Sequence, residues 1–372
     1  MSNQFDQIIV GGGIIGVSIA YQLSKRGYRV LVLEAKEIGA EASTAAAGML
    51  GVQMEFKEDS PLFQFAKESR SLFPKLAKDL KQESGIDIQF REKGAYKLIY
   101  SEEERNHLEN IAHFQTNQGI EVQIVSPEEI REKEMSRDFY LALDCPKEGQ
   151  VSAPHLTKAF AIAAEAYGAT IYECSEVHQL VIEQNKVSGV KVGNQYYAAD
   201  QVIITSGFKS PQFKEYIPAL DITPVKGECL SVVTEKPLIQ STIFTDDCYL
   251  VPKLGNRIII GATSKPEQLD KQVEVASVLK LLNSAKKVVP KIREASIENI
   301  WAGIRPLAKR GSPFLGEVPD TSGLFVATGH YRNGILLAPK TSLFMTDLLE
   351  GISDEPDYVR AFSLTKDCHI SV

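Results

Sequence analysis

The amino-terminal residues alternate two short apolar runs with one longer stretch of helical periodicity. This pattern predicts a strand over residues 7–10, a helix over residues 14–25 that Gly27 closes, and a second apolar strand over residues 28–34. A strand, a helix and a strand in this order form a crossover unit in which the two strands are parallel. The chain is therefore expected to begin with an α/β fold.

The segments after this unit predict further helices and an increasing share of strands. A helix with apolar spacing begins at Ser60 and Pro61, and Pro74 is expected to kink or split it. An alternating strand at residues 90–100 and helix starts at Ser101 and Ser126 predict part of a second domain. Residues 156–167 predict another helix, and five strand segments follow it, at residues 170–172, 177–183, 187–192, 195–198 and 202–205.

Strong alternation of apolar and polar residues marks the second half of the chain. It predicts antiparallel strands followed by an amphipathic helix, at residues 225–233, 242–251, 257–263 and near 272–288. These strands are expected to form the floor and wall of a substrate domain. The chain then gives a buried strand, a polar loop and a helix, at residues 323–328, 329–333 and 334–349.

Composition and charge exclude several classes of protein. Of the 372 residues, 44% are hydrophobic and 24% are charged, which is typical of a globular chain of about two domains. The formal net charge of -7 leaves no surplus of positive charge for a phosphate backbone, so nucleic acid is not an expected partner. No apolar run reaches the roughly 20 residues of a membrane span, and the start shows no targeting signal. Five scattered cysteines favour neither a disulfide framework nor a zinc site, so we expect a cytoplasmic protein without a bound metal.

Residues 11–16, with the sequence Gly-Gly-Gly-Ile-Ile-Gly, lie where the first strand meets the first helix. Glycines here permit a tight turn and let the backbone approach a pyrophosphate at the positive end of the helix. Glu34 ends the second strand, where its carboxylate can accept hydrogen bonds from ribose hydroxyls and would repel a 2′-phosphate. A simple tight turn with a solvated strand end is the alternative. The register of all four features favours a site for FAD or NAD over NADP.

Two further features narrow the cofactor and the substrate. Residues 38–50 are mostly small and directly follow the nucleotide unit, so they predict close approach of a ligand, with tight helix packing as the alternative. The antiparallel strands after residue 177 do not fit the repeating pattern of an NAD dehydrogenase, and the chain holds no second nucleotide motif. We therefore expect the reducing equivalents to come from a small-molecule substrate.

Seven segments carry a resemblance to a known family, in order along nearly the whole chain: IIVGGGIIGVSIAYQLSKRGYRVLVLEA, ASTAAAGML, PVKGECLSV, CYLVPK, IIIGAT, WAGIRPL and TGHYRNGILLAP. They resemble the glycine oxidases of thiamine biosynthesis, which belong to the D-amino-acid oxidase superfamily. The resemblance implies a Rossmann-like FAD-binding domain, a second α+β substrate domain on a mixed or antiparallel sheet, and a homotetramer. The implied FAD domain comprises residues 1–86, 146–220 and 306–372, and the implied substrate domain comprises residues 87–145 and 221–305.

The resemblance also implies which residues form the site. Those expected to surround FAD are Gly11, Gly13, Ile14, Ile15, Gly16, Glu34, Ala35, Ala42, Ser43, Ala47, Gly48, Met49, Val177, His330, Tyr331, Arg332, Asn333, Gly334, Ile335 and Leu336. Tyr249 and Arg305 match positions that bind the substrate carboxylate, and Arg332 matches one beside the amino group through its backbone carbonyl. Without the resemblance, a strand aromatic and a structural salt bridge would explain Tyr249 and Arg305.

The sequence departs from the family at the expected pocket. Asp247 stands where the family is expected to have His, Ser264 where it has Met, and Glu41 where a basic residue is frequent. These departures leave the fold unaffected and bear on substrate range. The helix that begins at Gly334 is expected to place its positive end beside the flavin ring, where it would stabilise negative charge on the reduced flavin.

The implied reaction is the oxidation of glycine, and also of sarcosine and small D-amino acids, by hydride transfer to flavin N5. With O2 as acceptor the products would be glyoxylate, ammonia and H2O2, and the imine would supply the thiazole of thiamine. This chemistry needs no side-chain base at the α carbon, and five histidines are expected to be unrelated to it: His107, His113, His155, His178 and His369. The alternatives are a broader D-amino-acid or sarcosine oxidase, a dehydrogenase that uses a quinone, a non-catalytic flavin subunit and an NAD-dependent dehydrogenase.

Overall fold

A computed structural model describes residues 4–364, and the predictions that concern Cys368 and His369 lie outside this range. The strands, in chain order, are β1 (Gln4–Val10), β2 (Val30–Leu33), β3 (Arg91–Glu92), β4 (Ala95–Ile99), β5 (Gln123–Val125), β6 (Leu141–Cys145), β7 (Gly149–Gln150), β8 (Thr170–Tyr172), β9 (Gln179–Glu183), β10 (Lys186–Val192), β11 (Gln195–Ile204), β12 (Ile222–Val233), β13 (Thr242–Phe244), β14 (Tyr249–Lys253), β15 (Arg257–Gly261), β16 (Lys265–Pro266), β17 (Ser296–Ala308), β18 (Phe314–Glu317) and β19 (Leu324–Thr328). The helices are α1 (Ile14–Lys25), α2 (Ala42–Ala45), α3 (Val52–Glu55), α4 (Pro61–Ser84), α5 (Arg105–Asn117), α6 (Ala153–Ala166), α7 (Val275–Val288), α8 (Gly334–Leu349) and α9 (Pro356–Phe362).

The first large sheet has the strand order β18-β19-β11-β1-β2-β8, and the first residues of β11 also pair with β10, which pairs with β9. β1 pairs in parallel with β2 and β11, so Ile8 lies opposite both Leu31 and Val202. The segments that pair at the centre of this sheet, residues 8–10, 30–33 and 202–204, are apolar and buried because both faces of the sheet are covered. The helix α1 packs on one face with α6 and α8. The predicted parallel unit at the start of the chain is confirmed.

The second large sheet is mixed and mostly antiparallel, with the order β16-β12-β15-β14-β13-β4-β6-β5 and with β17 also paired to β12. One face packs on α7, where Leu281 and Ala285 lie among buried residues of the sheet. The mixed α/β fold class is therefore confirmed. The strands of the second sheet come from residues 95–145 and 222–308, whereas those of the first sheet come from residues 4–33, 170–204 and 314–328. The exact division into domains stays a prediction.

Several predicted elements have other bounds in the structure. Pro74 does not split α4, because it lies on the exposed side of that helix, where water can satisfy the carbonyl that loses its N–H partner. The predicted strand at 90–100 is two strands separated by Gly94, whose φ of 80° interrupts the extended chain. The helix start at Ser126 yields only a short 3₁₀ turn. The strands β6 and β17 were not predicted, and the segments 195–198 and 202–205 form one strand.

Candidate active site

A cavity of about 780 Å³ runs from the carboxyl ends of β1 and β2 to the faces of β12, β14 and β17. The amino end of α8 and the loop before it close another side of it. The carboxyl ends of parallel strands in open α/β sheets are the usual place for a ligand. Most of the predicted site residues line this one cavity, from Gly11 at one end to Tyr249 and Arg305 at the other.

The glycine turn between β1 and α1 is closely packed. Gly11 has a φ of 116°, which favours glycine, and a Cβ atom at Gly16 would lie 2.0 Å from the carbonyl oxygen of Gly11. Gly16 does not line the cavity and instead lets α1 pack under the turn. The amide of Ile14 donates to the Ser43 hydroxyl over 2.9 Å, so Ser43 holds the first turn of α1 against the segment of small residues.

Glu34 lies where the sequence predicted, at the end of β2 and in the wall of the cavity. Its carboxylate accepts hydrogen bonds from the amides of Gly12 over 2.6 Å and Lys36 over 2.9 Å. The two bonds fix an acceptor group beside the glycine turn, where an acidic residue accepts from the ribose in Rossmann-type dinucleotide sites. The geometry therefore fits an adenosine dinucleotide.

The small residues after β2 both line the cavity and allow close packing against the rest of the fold. Ala42, Ala47, Gly48 and Met49 line the cavity. Ala45 also lines it and packs on β17, because a Cβ atom at Gly303 would lie only 2.5 Å from the Cβ of Ala45. Val177 lines the cavity near Glu34, and Leu336 does not line it: its carbonyl accepts the hydroxyl of Ser69 within the core.

Tyr249 and Arg305 come together from two strands at the far end of the cavity. An Arg305 Nη1 donates to the carbonyl of Thr263 over 3.3 Å, and within residues 4–364 no carboxylate lies within 4.0 Å of the guanidinium. Burial raises the pKa of Tyr249 well above its usual range, although Arg305 opposes the shift, so the phenol remains a hydrogen-bond donor. The predicted salt-bridge alternative for Arg305 is therefore not seen in the described part of the chain.

Two glycines that the sequence analysis did not single out make room for this pair. A Cβ atom at Gly227 would lie 2.3 Å from the Arg305 guanidinium, and one at Gly261 would lie 2.6 Å from the Tyr249 hydroxyl. Cys229 follows on β12, with its Sγ 3.4 Å from the same hydroxyl. The glycines stand in the quoted segments PVKGECLSV and IIIGAT, but strand periodicity alone does not reveal what their missing side chains admit.

The residues that depart from the family also line the cavity. Asp247 lies 3.6 Å from Lys280, and Ser264 is exposed beside Thr263. Glu41 forms ion pairs with Lys36 over 2.7 Å and with Lys271 over 2.5 Å. The Lys271 ammonium also donates to the carbonyl of Ala40, so the segment before α7 is joined to the segment of small residues.

The loop before α8 supplies His330, Tyr331, Arg332 and Asn333 to the cavity wall, and the first turn of α8 supplies Gly334 and Ile335. The exposed Arg332 side chain lies over the ring of Tyr331, 5.2 Å from its centre. No side-chain hydrogen bond caps α8 at Asn333, and the helix begins at Gly334 as predicted. Its amino end therefore directs a positive potential into the cavity.

A comparison with protein families decides the class of cofactor. Residues 6–348 match the model of the DAO family, described as FAD dependent oxidoreductases. The chain belongs to this family. FAD is therefore its cofactor. The glycine turn, the fixed carboxylate of Glu34 and the uncapped amino end of α8 fit this dinucleotide.

Individual relatives are similar over the whole chain. The glycine oxidase of Geobacillus kaustophilus is 43% identical, with 98% of each chain covered. Its crystal structure superposes with a TM-score of 0.94 and covers 99% of this chain and 100% of the other. A crystal structure of glycine oxidase from Bacillus cereus is 38% identical with a TM-score of 0.92, covering 98% of this chain and 99% of that one. The bifunctional protein ThiO/ThiG of Trichormus variabilis is 31% identical over 94% of this chain and 53% of its own length.

Two further observations concern location and thiols. Among residues 4–364, no helix is long and apolar enough to span a membrane. The cysteines within that range, Cys145, Cys174, Cys229 and Cys248, are free thiols. The expected cytoplasmic location and homotetramer stay predictions.

His330 gives the FAD-dependent enzyme a neutral imidazole in the cavity wall. Its Nε2 lies 3.2 Å from the Thr341 hydroxyl, and burial lowers its pKa from 6.5 to about 3. Because the unfolded chain binds this proton near pH 6.5 and the folded chain does not, the folded state loses stability as the pH falls below 6.5. Between pH 7 and 5 we expect His330 to contribute a loss of about 2 kcal/mol.

Urea unfolding of the holoenzyme at pH 7 and pH 5 tests this expectation. The variant His330→Gln keeps a polar group near Thr341 and cannot gain the proton, so its free energy of unfolding should fall less between the two pH values. An equal fall in both proteins would show that His330 does not carry the effect.

Proposed function

We propose that this enzyme oxidises glycine, and also sarcosine and small D-amino acids, to the corresponding imines. The observation that carries the proposal is the pair of Arg305 and Tyr249, which converge at one end of a cavity whose other end fits FAD. The guanidinium offers parallel N–H donors that match a carboxylate, and the neutral phenol adds a third donor. Similarity to glycine oxidases over the whole chain supports this choice of substrate.

The chain's own contribution is to bind and orient the amino acid. With the carboxylate held by Arg305 and Tyr249, the amino group is directed toward the loop before α8, where the carbonyl of Arg332 is proposed to accept from it. When bound, FAD would supply at N5 a two-electron acceptor for the hydride from the α carbon, with O2 as the final acceptor and H2O2 as its product. Water then hydrolyses the imine, so that glycine yields glyoxylate and ammonia. Holding the reactants in one orientation is the main catalytic effect that such a site provides.

The amino end of α8 is proposed to stabilise negative charge that develops on the reduced cofactor. Arg332, Asn333 and Gly334 place this uncapped helix end in the cavity wall. A helix terminus acts on charge within about one turn of its end, so the effect is local. We also propose that the glycine imine is passed to thiazole formation in the synthesis of thiamine. Similarity to one half of a bifunctional ThiO/ThiG protein supports this role.

Anaerobic mixing of the purified yellow protein with glycine, sarcosine and D-alanine, each separately, tests the proposal. Loss of flavin absorbance with glycine, followed by recovery of colour and formation of H2O2 when air enters, is the expected result. Reduction by D-alanine alone would favour the broader D-amino-acid oxidase, in which Ser264 and Asp247 define a larger pocket. If glycine reduces the flavin and its colour returns on adding a quinone but not in air, the enzyme is a dehydrogenase that uses a quinone rather than an oxidase.

A further inference from the structure

Glu228 is a fully buried carboxylate behind the proposed substrate pocket. It lies on β12 between Gly227 and Cys229, both of which line the cavity. Successive side chains of a strand point to opposite faces, so Glu228 points away from the cavity. Its side chain is 0% exposed, and a buried carboxylate is costly unless it is paired and hydrogen-bonded.

Both oxygens of this carboxylate have partners from the segment between β15 and α7. Oε2 accepts the Thr263 hydroxyl over 2.9 Å and lies 2.9 Å from the Lys265 ammonium. Oε1 accepts the amide of Glu274 over 3.0 Å and lies 3.8 Å from the Lys226 ammonium. Burial alone would raise the pKa of Glu228, but hydrogen bonds from Ser277, Lys265 and their neighbours lower it to about 2, so it is ionised at neutral pH.

Thr263 connects this carboxylate to the substrate arginine. Its hydroxyl and backbone are both held by Glu228, since the hydroxyl also accepts the Glu228 amide over 2.9 Å and the Thr263 amide donates to the Glu228 carbonyl over 3.2 Å. Its own carbonyl accepts Nη1 of Arg305. The next residue, Ser264, lines the cavity where the family is expected to have Met. Three hydrogen bonds with Glu228 therefore fix Thr263, which orients the Arg305 guanidinium and directly precedes Ser264.

We propose that Glu228 is a positioning residue for substrate binding, which holds Thr263 so that its carbonyl aligns the Arg305 guanidinium with the substrate carboxylate. This inference rests on the proposed function of Arg305. The Lys265 ammonium, which also contacts Glu274 and the hydroxyl of Ser277, makes the same segment rigid up to the start of α7. Glu228 itself touches neither the cavity nor any reacting group.

The test is the variant Glu228→Gln, which keeps the size of the side chain and removes its charge. The amide group has one accepting oxygen where the carboxylate has two, and it carries no charge to pair with Lys265, so the segment that contains Thr263 loses the contact to Thr263 or to Glu274 and one ion pair. We expect KM for glycine to rise about tenfold, with kcat and FAD content near those of the parent enzyme. The dissociation constant of acetate, a carboxylate without an amine, should rise by the same factor when followed through the flavin absorbance spectrum.

Glu298→Gln is the matched control. Glu298 lies on β17, pairs with Arg257 and accepts the hydroxyl of Ser231 on β12 over 2.9 Å, but it does not line the cavity. It should leave KM and acetate binding unchanged. If Glu228→Gln does not fold, Thr263→Val removes the same hydroxyl contact and should raise both quantities in the same direction.

Acetate binding separates this inference from the proposed function. If the parent enzyme binds acetate but is not reduced by glycine, the proposed substrate is wrong and the acetate measurements still decide the role of Glu228. If Glu228→Gln or Thr263→Val binds acetate as tightly as the parent enzyme, the positioning role is wrong. A parent enzyme that binds no acetate would refute the carboxylate site and this inference with it.

Discussion

Replacing Arg305 with alanine is expected to raise KM for glycine by a factor between about 30 and several thousand, while FAD remains bound. Removing one partner of a desolvated, hydrogen-bonded charge pair costs about 2–5 kcal/mol, which gives this range. Within residues 4–364, no carboxylate forms an ion pair with Arg305. Little of the rise in KM should therefore come from a broken ion pair inside the protein. Steady-state kinetics with glycine, together with the ratio of flavin to protein absorbance, measures both parts of the expectation.

Two other variants make the Arg305 result specific. Arg305→Lys keeps the charge but not the planar fork, so its KM should fall between those of the parent enzyme and the alanine variant. Arg257→Ala removes an arginine from strand β15 of the same sheet, outside the cavity, and should leave KM unchanged. A near-normal KM for Arg305→Ala would assign the substrate carboxylate to another group.

Replacing Gly48 with alanine is expected to lower both the stability of the enzyme and its FAD content. Gly48 has a φ of 79°, and a Cβ atom there would lie 2.0 Å from the carbonyl oxygen of Val151. The Val151 amide donates to the Gly48 carbonyl over 2.8 Å, so the two backbones cannot separate without losing this bond. Backbone strain and overpacking each cost about 1–3 kcal/mol, and the displaced segment is the one expected to contact FAD.

Gly51→Ala is the control for this effect. Gly51 lines the same cavity three residues further on, has no positive φ, and would bring its Cβ no closer than 3.5 Å to Met54. This variant should melt and hold FAD like the parent enzyme. Equal melting temperatures and equal FAD content in both variants would show that the contact of Gly48 with Val151 is dispensable.

The features predicted correctly from the sequence are those that local interactions determine. The turn at residues 11–16 and the start of α8 at Gly334 each follow from a few adjacent residues. The predicted strand at 242–251 is instead two strands, because the Thr245 hydroxyl accepts the amides of Asp247 and Cys248 and forms a turn between them. That polar turn is a local signal that the apolar alternation on either side obscured.

The features that could not be predicted depend on contacts between distant segments. The roles of Gly227 and Gly261 arise only when β12 pairs with β17 and β15 pairs with β14, because each glycine leaves space for a side chain from the partner strand. The restraint of Thr263 by Glu228 likewise joins residues 35 positions apart. The strand β17 was missed because its first half is exposed and carries polar residues, so its alternation is weak.

The two ion pairs of Glu41 constrain how parts of this enzyme can be exchanged with those of its relatives. Glu41 lies between Lys36 and Lys271, which come from segments far apart in the chain. A basic residue at position 41 would face two ammonium groups at ion-pair distance, and the repulsion would oppose the contact of Lys271 with Ala40. A chimera that takes residues 36–41 from a relative with a basic residue at this position therefore has to take the segment around residue 271 as well, so that the two segments are inherited as one unit.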